Sequence, residues 1–376
     1  MPPDFTALRN EFPTLKTWSH FDIARKAPLP RCVEQSMAEY MKDIYETGGE
    51  AAFSEKGTEH AREALARLVG VSPKTLAFIK NTSEGLNIAA LGMGLESGDK
   101  VLITEFEHSA CVLPWRRLSG KGIEVEVVKA QEGRVPAEAI IEKIDSKTRA
   151  VAVSWVAYGN GYRIDVPALT KVCREKGVFT VIDGIQAVGV LATPIAELGA
   201  DFVVAGGHKA LLSHIGAGIL YCREDLIPKI EPAYAARFSF ATDDKWQEPL
   251  VLAPDAHRFE YGNPNFLGIW VLRHSAEFIM EIGLDAIESR VKELTTHFIE
   301  RAEEKSLSLA TPRAWEERAG ILSFNVSDPE TIRKKLWEQK FIVNVKDGRY
   351  LRVATHFYNT EEEIDRLVQL VSDCSV

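Results

Sequence analysis

Two short apolar runs constrain the fold of this chain more than any other feature. Phe179–Ile182 and Phe202–Ala205 have the length and β-branched content of buried parallel strands. The first run is followed by Asp183 and the second by Gly206-Gly207-His208-Lys209. Because ligands of open α/β sheets bind at the carboxyl ends of the strands, we expect this acid and this amine at one edge of one sheet.

An aspartate and a lysine placed together in this way suit one kind of cofactor chemistry. A lysine amine with a lowered pKa forms a Schiff base with a carbonyl group. Pyridoxal phosphate (PLP) is held like this, with an acidic residue on its ring nitrogen. Gln186, three residues after Asp183, could reach the ring hydroxyl. The alternative is a structural salt bridge, which Asp183 and Lys209 taken alone would favour.

The residues around the pair favour the cofactor. The order D-G-I-Q-A-V-G then G-G-H-K resembles the fold-type I PLP enzymes, and within them the class V aminotransferase superfamily. That superfamily includes cysteine desulfurases, kynureninase and isopenicillin N epimerase. The resemblance implies a Schiff base on Lys209, with Asp183 on the ring nitrogen, Gln186 on the ring hydroxyl and His208 on the phosphate.

The same resemblance implies an α/β fold with two domains. A large PLP-binding domain, residues 16–262, would contain a mostly parallel sheet flanked by helices. The small domain would combine residues 1–15 with an α+β part, residues 263–376. Alternation of strand-like and helix-like segments along the chain supports a mostly parallel sheet independently.

Composition narrows the setting of the protein. A chain of 376 residues with 45% hydrophobic and 26% charged residues is ordinary for a globular protein. Its net charge of −9 argues against general binding to nucleic acid or anionic membranes. No apolar run approaches a membrane span, and the N-terminus lacks a signal-peptide pattern. Five cysteines with no C-x-x-C pair predict a reducing cytoplasm, and no metal-ligand spacing occurs among the histidines.

Two further segments are expected at the cofactor. Thr82 and Ser83 open a helix after a strand, where free N–H groups form an anion site, although taken alone they would favour an ordinary helix cap. Their place in the motif order resembles the family's phosphate-binding turn. His108 lies in a segment that resembles the family's E-H-x-x-x-x-x-P-W, which implies that it stacks on the ring and moves a proton.

The substrate side is predicted from four residues. Leu351-Arg352-Val353 and the following residues resemble a family segment whose arginine binds the substrate carboxylate, although a salt bridge at the rim is the alternative. Ala24 matches a pocket-lining segment in the first strand. Arg25 is unusual there, and would meet either a second acidic group of the substrate or a surface carboxylate. Trp155 replaces an asparagine of the desulfurases, and we expect it to line the pocket.

The oligomeric state is also an expectation from the resemblance. The turn that contains Asn263 resembles one that reaches the cofactor phosphate of the partner subunit. The protein is therefore expected to form a homodimer with shared active sites, acting on a small-molecule substrate, an α-amino acid.

The reaction is predicted from a missing residue. Desulfurases need a nucleophilic cysteine shortly before the carboxylate-binding arginine, and the segment between Phe341 and Arg352 contains none. We therefore expect an amino-acid lyase, cleaving C–S or another Cβ/Cγ–X bond through a Cα carbanion, and not a persulfide-forming cysteine desulfurase. An aminotransferase using a 2-oxo acid and an epimerase are the alternatives. A catalytically silent PLP-binding protein is the alternative outside enzymes.

Overall fold

The computed structural model describes residues 3–244, 246 and 248–374. Its α-helices, in chain order, are α1 (Phe5–Arg9), α2 (Arg31–Thr47), α3 (Glu55–Val69), α4 (Thr82–Gly92), α5 (Ser109–Leu118), α6 (Ala137–Ile141), α7 (Val166–Glu175), α8 (Phe266–Ile282), α9 (Leu284–Glu304), α10 (Pro329–Glu338) and α11 (Glu361–Cys374). Its strands are β1 (Ser19–His20), β2 (Leu76–Ile79), β3 (Lys100–Thr104), β4 (Glu124–Val128), β5 (Thr148–Ser154), β6 (Phe179–Asp183), β7 (Phe202–Gly206), β8 (Gly218–Cys222), β9 (Ile321–Asn325), β10 (Phe341–Ile342), β11 (Asn344–Lys346) and β12 (Tyr350–Ala354).

A seven-stranded sheet forms the centre of the larger part, in the order β2-β8-β7-β6-β5-β3-β4. The strands from β7 to β4 run parallel, and β8 pairs antiparallel with both β7 and β2. The two apolar runs expected to be strands are β6 and β7, neighbours that end at the same edge. The predicted α/β fold with a mostly parallel sheet is confirmed.

Both faces of this sheet are buried, because successive side chains of a strand point to opposite sides. Val151 and Val153 of β5 belong to one apolar cluster, while Ala150 and Ala152 belong to another on the opposite face. This double burial explains why the central strands read as continuous apolar runs without polar alternation.

A smaller antiparallel sheet, in the order β11-β12-β9, lies in the C-terminal part with its own apolar core. Helices α9 and α11 pack against each other there. The N-terminal segment joins this part: the rings of Phe12 and Tyr358 are 5.0 Å apart, and Arg9 forms an ion pair with Glu363 at 2.6 Å.

Contacts also cross the predicted domain boundaries. Strand β1, inside the range predicted for the large domain, pairs in parallel with β10 of the C-terminal part. Helix α8, inside the range predicted for the small domain, packs against α2 and α3. The domain boundaries at residues 16 and 262 therefore stay a prediction. Within the two predicted domains, residues 1, 2, 245, 247, 375 and 376 lie outside the part of the chain that the structure describes.

A single glycine separates the two long helices of the C-terminal half. Gly283, whose φ is 90°, ends α8 directly before α9, whereas Gly268 lies inside α8. Among the described residues, no helix is both long and apolar enough to cross a bilayer.

Candidate active site

The carboxyl ends of the central strands open into a cavity of about 250 Å³. Asp183 closes β6, and Lys209 follows β7 after a short glycine turn. Both side chains line this cavity. The structure therefore brings together the acid and the amine that the sequence places at one sheet edge.

Burial sets the charge state of the pair. It lowers the pKa of Lys209 to about 8, against the opposing influence of Asp183, and the cations Arg352 and Lys346 lower it further. An amine with this pKa is neutral often enough near pH 7 to act as a nucleophile. Burial raises the pKa of Asp183, whose Oδ1 accepts a hydrogen bond from the backbone of Ile185 at 3.0 Å.

One end of the cavity is the start of helix α4. Asn81 caps this helix by accepting a hydrogen bond from the Glu84 N–H at 3.0 Å, so the cap is neither Thr82 nor Ser83. Both of those residues line the cavity, and the buried Thr82 Oγ1 has no hydrogen-bond partner. The start of a helix beside a hydroxyl group without a partner favours the binding of an anion.

A glycine keeps this end of the cavity open. A Cβ added at Gly206 would lie 3.2 Å from Thr82 Oγ1 and 3.3 Å from His208 Nδ1. Burial and the nearby Lys209 lower the pKa of His208 to about 4, so its ring is neutral. Gln186 lines the cavity next to them, and its Nε2 donates to the carbonyl of Ala24 at 2.9 Å.

His108 forms one wall of the cavity. It caps helix α5, with Nδ1 accepting from the Ala110 N–H at 3.1 Å, so the neutral ring carries its proton on Nε2. Its pKa is lowered by burial and by the charge of Lys209. The ring of Tyr158 meets it edge-on at 5.2 Å.

A second buried carboxylate, missed from the sequence, lies behind this wall. Glu107 accepts hydrogen bonds from Thr104 Oγ1 and Ser154 Oγ, both at 2.6 Å, and from the Ser154 N–H at 3.0 Å. Burial raises its pKa, against these hydrogen bonds. Its position directly before His108, just after the end of strand β3, was the available signal. Glu107 therefore fixes Ser154, which lines the cavity.

Arg352 lies on β12 and lines the cavity, but two of its guanidinium nitrogens already have partners within the protein. Its Nη2 pairs with Asp22 at 3.0 Å, and its Nη1 donates to the carbonyl of Tyr158 at 2.8 Å. Asn344 holds the same Asp22 carboxylate from the other side at 3.1 Å. The buried Nε of Arg352 has no partner. Asp22 was missed from the sequence, because 330 residues separate it from Arg352.

Three further residues line the side of the cavity near Arg352. Ala24 and Arg25 lie after β1, which ends at His20, whereas the sequence pattern predicted Ala24 within this strand. Lys346 ends β11. The Lys346 ammonium lies 5.7 Å from the centre of the Tyr158 ring. Sequence reasoning missed Lys346, which the strand pairing of the small sheet brings to this edge.

Two predicted residues lie elsewhere. Trp155 is buried in the main apolar core and lines a different cavity with Tyr162 and Trp315. The expectation that it lines the substrate pocket is wrong, because β5 ends at Ser154 and the next side chain turns to the opposite side. Asn263 lines another separate cavity, with Lys80 and Tyr261.

The fold and this cavity together define an enzyme class that uses a cofactor bound at the ends of parallel strands. A family model described as "Aminotransferase class-V" matches residues 20–367. The chain belongs to this family, and it is a PLP-dependent enzyme. The predicted superfamily and the predicted cofactor are confirmed.

Similar proteins cover almost the whole chain. A probable cysteine desulfurase of Methanothermobacter thermautotrophicus is 30% identical, over 97% of each chain. A solved apo structure of a cysteine desulfurase from Thermococcus onnurineus NA1 is 27% identical, with a TM-score of 0.89 over 98% of this chain and 97% of that one. A mutant of C-DES with glycine covalently linked to its PLP cofactor is 23% identical, with a TM-score of 0.90 over 99% of both chains, and shows the same fold.

These relatives correct the predicted reaction. We excluded a cysteine desulfurase because no cysteine lies between Phe341 and Arg352, and proteins similar over the full length are desulfurases. The exclusion was wrong. The segment does lack a cysteine, but this absence does not separate the chain from the desulfurases.

The cavity fits PLP on its own geometry. The unpartnered Thr82 Oγ1 at a helix start suits a phosphate, and the missing side chain of Gly206 lets Thr82 and His208 lie close together there. In the same cavity, Asp183 suits a protonated ring nitrogen and Lys209 suits an aldehyde carbon. Donors, acid and amine are therefore all present for this cofactor.

Proposed function

We propose that this protein is a PLP-dependent cysteine desulfurase, which breaks the C–S bond of cysteine and leaves alanine. The observation that carries the proposal is similarity over 97% of both chains to a probable cysteine desulfurase, joined to a cavity suited to PLP. When bound, PLP withdraws electrons from the substrate Cα. The residues of this chain position both molecules and move protons.

We propose that four side chains hold the cofactor's polar groups. Thr82, Ser83 and His208 would bind the phosphate at the start of α4, and Gln186 would contact the ring hydroxyl. The orphaned Thr82 hydroxyl supports this assignment. The carbonyl of Ala24 orients the Gln186 amide by accepting one of its two N–H groups, which leaves the second N–H and the oxygen free for the cofactor.

Three side chains would carry the chemistry. Lys209 would bind the cofactor carbon and afterwards hold the proton removed from the substrate Cα, a task suited to its pKa of about 8. Asp183 would keep the ring nitrogen protonated. His108 would stack on the ring and, with its proton on Nε2, would protonate the substrate Cβ after a thiol has taken the sulfur.

Arg352 would bind the substrate carboxylate. Its Nη atoms are held by Asp22 and the Tyr158 carbonyl, which fixes the plane of the guanidinium before substrate arrives. Its Nε–H is the buried donor left without a partner. Guanidinium suits this contact because it donates several hydrogen bonds in a fixed plane.

We also propose a homodimer in the cytoplasm. Asn263 lies outside the cavity of its own chain, which is consistent with a contact to the partner's cofactor phosphate. Exposed Tyr45 and Phe53 offer apolar surface for such an interface. All five cysteines are free thiols, which suits a reducing compartment. Analytical ultracentrifugation tests the dimer, which a monomer at micromolar concentration would contradict.

The experiment that tests the activity follows alanine and sulfide. The purified protein with PLP is mixed with L-cysteine and dithiothreitol, which supplies a thiol to take the sulfur. We expect equal amounts of both products, and none from Lys209→Ala. Formation of pyruvate and ammonia in place of alanine would contradict the proposal. Serine variants of Cys32 and Cys374, the two cysteines that are not fully buried, then show whether either thiol takes the sulfur.

A further inference from the structure

A row of three polar side chains crosses the carboxyl ends of three neighbouring strands. Ser154 ends β5, and its partner in the strand pairing is Asp183, which ends β6. Glu107 follows β3, the neighbour of β5 on the other side, and its Oε2 is hydrogen-bonded to Ser154 Oγ at 2.6 Å. Ser154 and Asp183 line the cofactor cavity, whereas Glu107 lies behind Ser154. Glu107 therefore acts on the cavity through Ser154.

Glu107 is a buried carboxyl group without a cation. It is 8% exposed, and among the described residues it forms no ion pair. The titratable groups that face it are Asp183 from β6, Cys111 from α5 and Tyr158 from the turn after β5, and none of them is positive. Burial, and then the charge of Asp183, disfavours the ionised form of Glu107 more than its hydrogen bonds favour it. The neutral acid is therefore the favoured form.

The hydrogen bonds of this carboxyl group indicate which oxygen carries the hydrogen of the neutral acid. Oε1 accepts from Thr104 Oγ1 at 2.6 Å and from the Ser154 N–H at 3.0 Å, so it already has two donors. Oε2 is bonded to Ser154 Oγ, and a separation of 2.6 Å suits a hydrogen on either oxygen. When Oε2 carries the hydrogen, Ser154 Oγ accepts it, and the hydrogen of the serine hydroxyl is free to turn into the cavity.

We propose that Glu107 is a positioning residue for the cofactor: it stays a neutral carboxylic acid, donates to Ser154 Oγ and thereby directs the Ser154 hydroxyl to the ring hydroxyl oxygen of PLP. Ser154 lies beside Asp183, which suits the ring nitrogen, and the donors suited to the phosphate lie at the start of α4. The ring hydroxyl oxygen is therefore the acceptor that we expect nearest to Ser154. The inference depends on the cofactor alone and holds whichever amino acid is the substrate.

The isosteric variant Glu107→Gln distinguishes a neutral acid from a carboxylate. The glutamine oxygen can accept from Thr104 and from the Ser154 N–H, as Oε1 does, and the amide can donate to Ser154 Oγ, as the acid would. We expect Glu107→Gln to bind PLP within about twofold of wild type, measured by absorbance titration of the cofactor-free protein. Ser154→Ala removes the hydroxyl itself and should weaken PLP binding about tenfold or more, the scale of one hydrogen bond to a charged oxygen.

Urea unfolding of the cofactor-free protein provides a second readout. Burial raises the pKa of Glu107 in the folded state, so the stability that its proton contributes is complete below the unfolded pKa and is lost as the pH rises through the folded pKa. The urea midpoint of wild type should therefore fall relative to that of Glu107→Gln as the pH rises above the ordinary pKa of a glutamate.

The matched control is Glu105→Gln, two residues earlier on the exposed side of the same segment. The Ala130 N–H and Lys129 lower the pKa of Glu105, so its contribution is present above its unfolded pKa and is lost as the pH falls. The wild-type urea midpoint should therefore rise relative to that of Glu105→Gln over the same pH range, the opposite direction. PLP binding by this control should stay within about twofold of wild type, because an exposed charge is screened.

Each result supports or overturns the proposal. A Glu107→Gln protein that binds PLP about tenfold more weakly or more tightly than wild type overturns it, as does a difference in urea midpoint that does not grow with pH, because Glu107 would then be ionised. Wild-type PLP affinity in Ser154→Ala overturns the contact with the cofactor, even where a Glu107 variant fails to fold. None of these measurements uses cysteine turnover, so the desulfurase proposal is decided separately.

Discussion

Replacing Arg352 by leucine should destabilise the folded protein, because the buried Asp22 carboxylate would lose the positive charge that neutralises it. Asp22 is 1% exposed and would lose the guanidinium 3.0 Å away. Removing one partner of a buried ion pair costs about 3–5 kcal/mol, because the other charge stays buried alone. We expect the free energy of unfolding to fall by this amount at pH 8, measured by urea unfolding of the cofactor-free protein.

The pH dependence of that loss follows from the Asp22 carboxyl. Burial already raises its pKa while Arg352 opposes the shift, so removing Arg352 raises the pKa further. Between the unfolded and folded pKa values the native state binds more protons, and its stability therefore falls as the pH rises. The difference in the free energy of unfolding between Arg352→Leu and the wild-type protein should shrink as the pH drops through the pKa of Asp22 in the folded variant. The change should be up to about 1.4 kcal/mol per pH unit.

A second substitution provides the internal control. Asp22→Asn in the Arg352→Leu background removes the buried charge and keeps a side chain that Asn344 can still contact. The double variant should be more stable than Arg352→Leu at pH 8, while neither variant turns over cysteine efficiently. An Arg352→Leu protein within about 1 kcal/mol of wild type, or a double variant no more stable than the single one, would refute the reasoning.

Three other predictions follow from single contacts. Thr82→Val should weaken PLP binding about tenfold, seen by absorbance titration, and leave urea stability within about 0.5 kcal/mol, since the hydroxyl has no protein partner. Asp183→Asn should lower kcat by about 10²-fold or more in a steady-state cysteine assay, because the ring nitrogen loses its anion. Asp255 and Glu59 raise the pKa of His257 to about 9. The protonated His257 therefore stabilises the folded protein fully below about pH 6.5, and this contribution is lost as the pH rises through 9. Between these pH values, the urea concentration at the unfolding midpoint should fall less in His257→Gln than in the wild-type protein.

Much of the fold was predictable because its signals are local. The buried strands β6 and β7 are marked by continuous apolar runs, and each ends within one residue of the expected position. Thr360 and Glu363 form a reciprocal cap at the start of α11, with each side chain accepting from the other's N–H. Such patterns require only neighbouring residues.

Other elements depended on partners that the sequence does not identify. Strand β4, E-V-E-V-V, is half-exposed at the sheet edge, so it lacks the apolar run that marks the central strands. Strand β8 follows a glycine-rich loop and is defined by its antiparallel pairing with both β2 and β7. In each case the neighbouring strands decide the structure.

The residues of the site also divide into those that local sequence predicts and those that depend on distant partners. Asp183 and Lys209 were placed by strand ends, which local sequence indicates. Asp22 was missed because it pairs with Arg352, 330 residues away, and Lys346 was missed because the pairing of the small sheet brings it to the cavity. Trp155 was misplaced because the resemblance was followed in place of strand alternation, which puts Trp155 on the face of Val151 and Val153 and away from Ser154, which lines the cavity.

The most direct test of the account is simultaneous measurement of alanine and sulfide from L-cysteine with the PLP-loaded protein and its Lys209→Ala variant. The account predicts equal amounts of both products from the wild-type protein, a visible cofactor band that the variant lacks, and no product from the variant. Products formed at the same rate by Lys209→Ala, or no alanine from the wild-type protein, would contradict it.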